Sequence, residues 1–413
     1  MKFDLIIIGN ELLNGKIQDL NAHFLATELY NRGDELRKIH VIKDSEKELE
    51  MAIAESKLYS DVIITTGGLG PTQDDLTKNM FAKIFNKEVV YNKDAYKVAK
   101  GHYDRCEREY NLDIIDYHNL PLEFNSLSNP IGYAPGIHYQ EDDVHFFATP
   151  GVPSEFQVML CEIILPKIPK PSLKSKHVII KTWKIPESKI FHEFAPELWK
   201  DLETIGEVSS LPHISGVDIG VKISGSTEVE IEQKEKKVIA LVSATEIKNY
   251  IWHIGPESLE EVIVTKAKQK KLTIGFAESC TGGLCASRIT DISGSSAVFW
   301  GSIVSYANEV KTKSLEVKTE TLKDHGAVSK ETAHEMAYGA REQLQVDIAI
   351  STTGIAGPGG GSNEKPVGTV GIGVSTVSGT KSKIYNFKGS RKALKQRFSQ
   401  AALMILLEEI THL

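Results

Sequence analysis

The stretch LTIGFAESCTGGLCASRITDI, residues 272–292, places a serine where a predicted strand gives way to a predicted helix. LTIGFA reads as a buried strand, and Cys285 and Ile289 stand at helical spacing after it. Ser279 therefore falls in the crossover. Backbone N–H groups at a helix start lack an intrahelical acceptor, so they can hold an oxyanion or a phosphate beside the Ser279 hydroxyl. The alternative is that Ser279 or Thr281 only caps the helix, because serine and threonine are favoured there.

A serine attacks an amide at neutral pH only if another group takes its proton, and Lys311 is the available base. No histidine follows a predicted strand in this part of the chain. A lysine in a water-poor site has a lowered pKa and can serve a serine as base, with Tyr306 relaying the proton or orienting the pair. In FWGSIVSYANEVK we expect a strand and then a turn that begins at Asn308. The alternative for Lys311 is an ordinary surface lysine.

Further residues in this part of the chain could bind an anion near Ser279. Thr353 and the glycine-rich GIAGPGGG, from Gly354 to Gly361, offer hydroxyl and N–H donors. Arg391, which opens the last predicted helix, could close on a phosphate. The alternative for the glycine-rich segment is a simple turn.

A second constellation follows two strands near the start of the chain. Glu11 comes after the first strand, and the segment TTGGLGPTQDD comes after the third, ending in Asp74 and Asp75. Glycine N–H groups can wrap phosphate oxygens, and adjacent carboxylates suit Mg²⁺, which takes one or two such ligands plus substrate phosphates. Acids at a helix start are also favoured by the helix dipole, which is the alternative for this pair. The glycine-rich turn directly before them favours the phosphate and metal interpretation.

Strands and helices alternate in both the first and the last parts of the chain, which predicts α/β domains, and the spacing in the first part indicates a mostly parallel sheet with helices on both faces. The segment PKIPKPSLKSK, residues 166–176, has the composition of a linker. We therefore predict two three-layer α/β/α domains, residues 1–167 and 254–413, joined by a small α+β domain over residues 168–253. Ligands of such folds bind at the carboxyl ends of the strands.

Composition excludes several classes of protein. The 413 residues are 41% hydrophobic and 25% charged, as in soluble globular proteins, and carry a formal charge of −7. A nucleic-acid partner is therefore not expected. The apolar run near the start, LIII after Asp4, is too short for a signal peptide, and no stretch approaches the ~18 apolar residues of a membrane span. The four cysteines show no metal-ligand spacing, and we interpret them as reduced thiols of a cytoplasmic protein.

Ordered motifs across the chain resemble one family. FAESCTGG, GSIVSYANEVK, HGAVS, TTGIAGPGGG, KPVGTV and GSRKALKQR are similar to the C-terminal domain of the CinA family, known also as a nicotinamide mononucleotide amidohydrolase. GNELLNG, TTGGLGPTQDD, GYAPG and PGVPSE resemble its N-terminal domain, which is similar to molybdopterin-binding proteins and associated with metal-dependent ADP-ribose pyrophosphatase activity. The resemblance covers essentially the whole chain, and it implies a middle domain similar to a KH fold.

The resemblance implies two hydrolases of NAD breakdown products in one cytoplasmic homodimer. Ser279, Lys311 and Tyr306 would deamidate nicotinamide mononucleotide without a cofactor. Asp74 and Asp75 would hold a divalent ion, Mg, Mn or Co, with which the N-terminal domain cleaves ADP-ribose. The substrate-binding residues implied for the two domains are Thr281, Gly282, Gly283, Asn308, Thr353, Gly354, Gly357, Arg391 and Arg397, and Glu11, Thr66, Gly67, Gly68, Gly70 and Thr72.

The sequence departs from the family pattern at a few positions. Tyr133 stands where the family usually has threonine, and Lys395 where it has arginine. A lysine lacks the planar fork of a guanidinium, so the phosphate contact is expected from Arg391 or Arg397. A rival hypothesis is that the N-terminal domain binds a pterin or a nucleotide without turning it over.

Overall fold

The computed structural model divides the chain into two compact units, residues 1–177 with 222–236 and residues 178–221 with 237–413. The elements of the predicted middle domain are shared between these units, and the three-domain division remains a prediction. In the described part of the chain, no helix is long and apolar enough to cross a membrane. The described residues are 1–70, 75–112, 114–171, 173–214 and 216–413.

The first part of the chain forms a six-stranded sheet with helices on both faces, plus a separate two-stranded ribbon. Its strands are β1 (Lys2–Ile8), β2 (Glu35–Ile42), β3 (Val62–Thr66), β4 (Val89–Tyr91), β5 (Asn119–Pro121), β6 (Asn125–Leu127), β7 (Gly136–Glu141) and β8 (Val144–Thr149). Its helices are α1 (Asn10–Leu13), α2 (Asn21–Arg32), α3 (Glu46–Lys57), α4 (Thr77–Ile84), α5 (Lys93–Arg105) and α6 (Pro153–Met159).

The sheet order is β2-β1-β3-β8-β7-β6, and its first four strands are parallel. Alternate side chains of a strand point to opposite faces. In β1, Ile6 and Ile8 join the core that contains α3 and α4, whereas Leu5 and Ile7 join the core that contains α2 and α6. These two cores confirm the predicted three-layer α/β/α arrangement. The carboxyl ends of the parallel strands meet at one edge, where Glu11 and residues 67–70 follow β1 and β3.

A four-stranded sheet of order β10-β11-β9-β12 occupies residues 174–254. Its predicted strands and long helix are present. The predicted helix over ESKIFHEFAPELWKDL is broken into a π-helical segment and two short helices, and strand β10 was not predicted. The elements are β9 (Lys174–Thr182), α7 (Glu187–Lys189), α8 (Leu198–Glu203), β10 (Glu207–Pro212), β11 (Val217–Gly225), α9 (Glu228–Ser243) and β12 (Ile251–Ile254).

The last part of the chain has a five-stranded sheet of order β14-β13-β15-β16-β17, in which the first three strands are parallel. Its strands are β13 (Ile274–Glu278), β14 (Phe299–Val304), β15 (Ile348–Gly354), β16 (Thr369–Thr376) and β17 (Gly379–Asn386). Its helices are α10 (Leu259–Lys270), α11 (Leu284–Thr290), α12 (Asn308–Leu315), α13 (Thr319–His325), α14 (Lys330–Leu344) and α15 (Arg391–His412).

Strand β13, the middle one of the three parallel strands, again separates two layers. Ile274 and Phe276 pack in the core with α10 and α15, and Ala277 packs in a second core with α14. This sheet is thus also covered on both faces, as predicted. The predicted turn at Asn308 is instead the first turn of helix α12.

Candidate active sites

Ser279 follows β13 at the carboxyl edge of the C-terminal sheet, between the two parallel neighbours of that strand. Its backbone N–H donates to the carbonyl of Thr352 on β15 at 2.9 Å. Its hydroxyl accepts a hydrogen bond from Nζ of Lys311 at 3.2 Å. Ser279 is 8% exposed and Lys311 1% exposed, so the pair is nearly excluded from water. The structure therefore brings the predicted nucleophile and the predicted base into contact.

The Lys311 amine is held by carbonyl oxygens rather than by a carboxylate. Nζ donates to the carbonyls of Ser305 at 2.8 Å and Tyr306 at 3.2 Å. Burial lowers the pKa of Lys311 below its ordinary value, because desolvation disfavours the ammonium form. The lysine reaches this position because α12 begins at Asn308, which places Lys311 in its first turn. A neutral amine in contact with a serine hydroxyl can accept its proton.

The start of helix α11 is occupied by a carboxylate of the chain itself. Glu278, the last residue of β13, accepts hydrogen bonds from the N–H groups of Gly283, Cys285 and Ala286 at 2.9 to 3.1 Å. The expectation that these N–H groups hold a substrate anion is therefore wrong. The interpretation that Ser279 or Thr281 caps the helix is also wrong, because the N-cap position is Gly283 and the N–H groups of Cys285 and Ala286 are bonded to Glu278.

A cavity of about 270 Å³ opens over the serine and the lysine. Arg391, at the start of α15, donates to the carbonyl of Gly357 at 2.6 Å and to the Tyr306 hydroxyl at 3.2 Å. The backbone carbonyl of Tyr306 thus accepts from Lys311, whereas the Tyr306 hydroxyl accepts from Arg391. The predicted site residues that line this cavity are Ser279, Tyr306, Asn308, Lys311, Thr353, Gly354, Gly357 and Arg391.

Other predicted binding residues shape the turn without lining the cavity. Thr281 is fully buried, and its hydroxyl pairs with that of Thr352 at 2.7 Å. Gly282 and Gly283 have φ values of +62° and +91°, which favour glycine. Arg397 also lies outside the described lining of the cavity, and its Nε is buried without a hydrogen-bond partner among the described residues.

Lys395 is the second cation beside the serine turn. Its Nζ lies 3.7 Å from the point where a Cβ on Gly282 would be. The expectation that Arg391 or Arg397 makes the phosphate contact stays a prediction. Arg391 lies at the cavity, and the lysine itself lies by the turn that carries Ser279.

The N-terminal sheet carries a larger cavity, of about 560 Å³, at the carboxyl ends of β1, β3 and β8. Thr72 and Asp74 lie outside the described residues. The remaining predicted residues of this site all line the cavity: Glu11, Thr66, Gly67, Gly68, Gly70 and Asp75.

The glycine turn after β3 is fixed by close backbone contacts. Gly67 has φ of +107°, and a Cβ there would lie 2.3 Å from the carbonyl oxygen of Ile8. A Cβ on Gly68, at φ of +67°, would lie 2.2 Å from the Thr77 hydroxyl. These positions therefore require glycine. The hydroxyl of Thr66 is engaged by the carbonyl of Pro150 and by Asn21, so its contribution to the cavity is structural.

Three carboxylates of this cavity were not predicted: Asp19, Asp44 and Glu155. Together with Glu11 and Asp75 they make its described lining acidic, and no lysine or arginine is among those lining residues. No three histidine, cysteine, aspartate or glutamate side chains of the described residues are arranged to hold a metal ion. Asp19, Asp44 and Glu155 follow strands β1, β2 and β8 in the chain. Because ligands bind at the carboxyl ends of such strands, this placement was the signal from which the three carboxylates could have been predicted.

Asn21 presents an unsatisfied acceptor at the same cavity. Its amide nitrogen donates to the Thr66 hydroxyl and to the Gly151 carbonyl, both at 3.0 Å. These bonds fix the orientation of the amide. Its Oδ1 is buried without a partner among the described residues, which costs free energy until a donor reaches it. Tyr133, the departure noted in the sequence, also lines the cavity and packs its ring on His102 and Tyr103.

Comparisons with known proteins cover both parts of the chain. Residues 256–410 match the CinA C-terminal domain, and residues 4–170 match a probable molybdopterin binding domain. A CinA-like protein of Chloroherpeton thalassium is 38% identical over 418 residues, 99% of each chain. A CinA-like protein of Chlorobium limicola is 36% identical, over 97% of this chain and 95% of its own. The competence/damage inducible protein CihA of Agrobacterium tumefaciens is 40% identical over 37% of this chain and 96% of its own, with a TM-score of 0.36.

Proposed function

Because the chain belongs to the CinA family, we propose that its C-terminal domain hydrolyses the carboxamide of nicotinamide mononucleotide to nicotinate mononucleotide and ammonia. The observation that carries this proposal is the 3.2 Å contact between Lys311 Nζ and Ser279 Oγ in a nearly dry environment. Neutral lysine takes the serine proton as Oγ attacks the carboxamide carbon. The lysine then returns that proton to the departing ammonia, and water hydrolyses the acyl-serine by the same proton transfers in reverse order.

The oxyanion of this reaction is assigned to the turn that carries the nucleophile. The N–H of Ser279 donates to Thr352, and that of Gly282 donates to the Ser279 carbonyl. The N–H groups of Cys280 and Thr281 are the remaining donors of the turn. Such donors are useful only if they are already oriented toward the developing charge.

The nucleotide phosphate is assigned to the cationic side of the cavity. Arg391 is anchored on Gly357 and Tyr306 beside the glycine-rich loop, and its guanidinium suits a phosphate. Lys395 lies beside Gly282 in the serine turn. Asn308, which starts α12, offers an amide to the sugar or to the carboxamide. None of these interactions requires a cofactor.

We propose that the N-terminal domain hydrolyses ADP-ribose to AMP and ribose 5-phosphate with a divalent ion. A pyrophosphate that enters a cavity lined by Glu11, Asp75 and three further carboxylates meets repulsion that an added cation would offset. Asp75 with Asp74 would hold Mg, Mn or Co through oxygen ligands, completed by substrate phosphates. When bound, the ion polarises the phosphoryl group and neutralises developing charge. Gly68 and Asn21 would bind and orient the substrate, whereas Gly67 shapes the turn, since its N–H donates to the Thr149 carbonyl.

The two activities are tested together by incubating the full-length protein with each nucleotide, with and without a chelator, and separating the products by chromatography. We expect the chelator to stop ADP-ribose cleavage and to leave deamidation unchanged. Ser279→Ala should lose deamidation by several powers of ten and keep ADP-ribose cleavage. Asp75→Asn should lose ADP-ribose cleavage and keep deamidation. Deamidation that disappears with the chelator would contradict the serine mechanism.

A second candidate for the N-terminal domain is a binding module without turnover. It is favoured by the lack of a three-ligand metal cluster among the described residues and by the orphaned acceptor of Asn21. If ADP-ribose or a pterin binds in a calorimeter but ADP-ribose remains intact with every divalent ion, this candidate replaces the pyrophosphatase.

A further inference from the structure

The carboxylate of Glu278 is 0% exposed and directly precedes the candidate nucleophile. Its Oε2 accepts from the N–H groups of Gly283 at 2.9 Å and Cys285 at 3.1 Å. Its Oε1 accepts from the N–H of Ala286 at 3.0 Å and from the Ser302 hydroxyl at 3.2 Å. All four donors are neutral: three are backbone N–H groups at the start of α11, and the fourth is the Ser302 hydroxyl.

These bonds close the turn that carries Ser279. Glu278 ends strand β13, and its three backbone donors begin helix α11, so the side chain joins the two ends of residues 279–282. The main chain is fixed as well, because the Glu278 carbonyl accepts from Ser305 N–H at 2.8 Å. Ser305 is also the residue whose carbonyl accepts from Lys311. One glutamate therefore connects the segment that bears the serine with the segment that holds the lysine.

We propose that Glu278 is the positioning residue of the C-terminal site: its carboxylate fixes Ser279 Oγ against Lys311 Nζ and reserves the start of α11, so that no substrate anion binds there. This inference rests on the proposed function only in its use of deamidation as one readout. A displacement of about 1 Å at a reacting atom can cost about a hundredfold in rate. A residue that served only as a helix cap would change stability and leave the rate of the folded enzyme unaltered.

The test uses Glu278→Gln in the full chain. Glutamine has nearly the same shape, but one of its two acceptors becomes an NH₂ group that faces N–H donors. The reactivity of Ser279 is measured with a neutral phosphonofluoridate. Serine Oγ bonds to phosphorus, fluoride leaves and Lys311 takes the proton, and mass spectrometry identifies the labelled residue. We expect labelling to slow about a hundredfold, and kcat for nicotinamide mononucleotide to fall by a similar factor with KM little changed.

Ser302→Ala is the matched control, because it removes the fourth donor and keeps the three backbone bonds that close the turn. We expect its labelling rate to stay within about threefold of wild type. Glu278→Asp tests the proposal again if the glutamine variant does not fold. It retains the charge but is one methylene shorter, so it cannot span Gly283, Cys285 and Ala286 together, and it should also label slowly.

A folded glutamine or aspartate variant that labels at the wild-type rate overturns the proposal. If the wild type labels at Ser279 in a manner dependent on Glu278 but does not deamidate the nucleotide, the positioning role stands and the assigned substrate is wrong. If the wild type is not labelled at Ser279, both the nucleophile and its positioning residue are wrong.

Discussion

Replacing Lys311 by arginine separates proton transfer from hydrogen bonding at the C-terminal site. Lysine donates to Ser279, Ser305 and Tyr306, and arginine can donate to the same acceptors. Arginine does not lose its proton in proteins, however, so it cannot be the base. Lys311→Met tests the opposite case, because its side chain is similar in length but neither donates nor accepts a proton.

The structure sets the size of the expected loss. A positioned base contributes about 10²- to 10⁴-fold, and Ser279 has no other titratable partner in the described hydrogen bonds. We therefore expect Lys311→Arg and Lys311→Met to lose at least about a hundredfold in kcat/KM for nicotinamide mononucleotide. Adding Ser279→Ala to either should lower the rate little further, since residues that act as one unit are not additive.

The assay is ammonia release across a range of pH, with the melting temperature of each variant as the control for folding. The wild-type rate should rise with pH as Lys311 loses its proton, at a pH below the ordinary lysine value of about 10.4, because burial lowers its pKa. That rise should be absent in both variants. A folded Lys311→Arg within about tenfold of wild type, about 1.4 kcal/mol of barrier, would refute proton transfer to Lys311.

Three further predictions concern stability and the N-terminal site. The pKa of Lys311 is lower in the folded chain than in the unfolded chain, so at pH values between these two pKa values the folded chain binds fewer protons. In that pH range the free energy of unfolding should rise with pH for wild type but not for Lys311→Met. Gly67→Ala should abolish ADP-ribose cleavage and spare deamidation, because the added Cβ would clash with the Ile8 carbonyl. Gly15→Ala is the control: Gly15 is also at positive φ, but its added Cβ would have no atom within 4 Å, so this variant should cost only backbone strain. Equal ADP-ribose cleavage by the two variants would contradict the clash. Burial lowers the pKa of His138 to about 4, so as the pH is lowered from 6.5 to 4 only the unfolded chain gains that proton and the free energy of unfolding decreases. His138→Phe, measured by thermal unfolding, should lose less stability over the same pH range.

Local patterns in the sequence predicted the elements around both sites. Strand β13, the glycine turn and helix α11 follow from an apolar run and helical spacing, and Ser279 lies between them as expected. Helix α12 was missed because its sequence, NEVKTKSL, has only two apolar residues, Val310 and Leu315, to indicate a helical face. Its start at Asn308 is what carries Lys311 to the serine.

Long-range partners could not be predicted in the same way. Glu278 was part of the motif FAESCTGG, but its bonds to Gly283, Cys285 and Ala286 depend on how the turn folds back. Asp19, Asp44 and Glu155 follow different strands, and only the order of the sheet brings them to one cavity. A single sequence gives the type and spacing of such residues but not which strands are neighbours.

The charges of the two cavities support different ways of binding the same kind of ligand. Both proposed substrates are anionic nucleotides. The C-terminal cavity has Arg391 in its lining and Glu278 enclosed at a helix start, away from solvent, so the chain itself can neutralise a phosphate. The described lining of the N-terminal cavity has carboxylates and no lysine or arginine, and we therefore propose that a cation from solution accompanies a pyrophosphate there. The opposite effects expected of a chelator on the two activities therefore follow from the arrangement of charged side chains in each cavity.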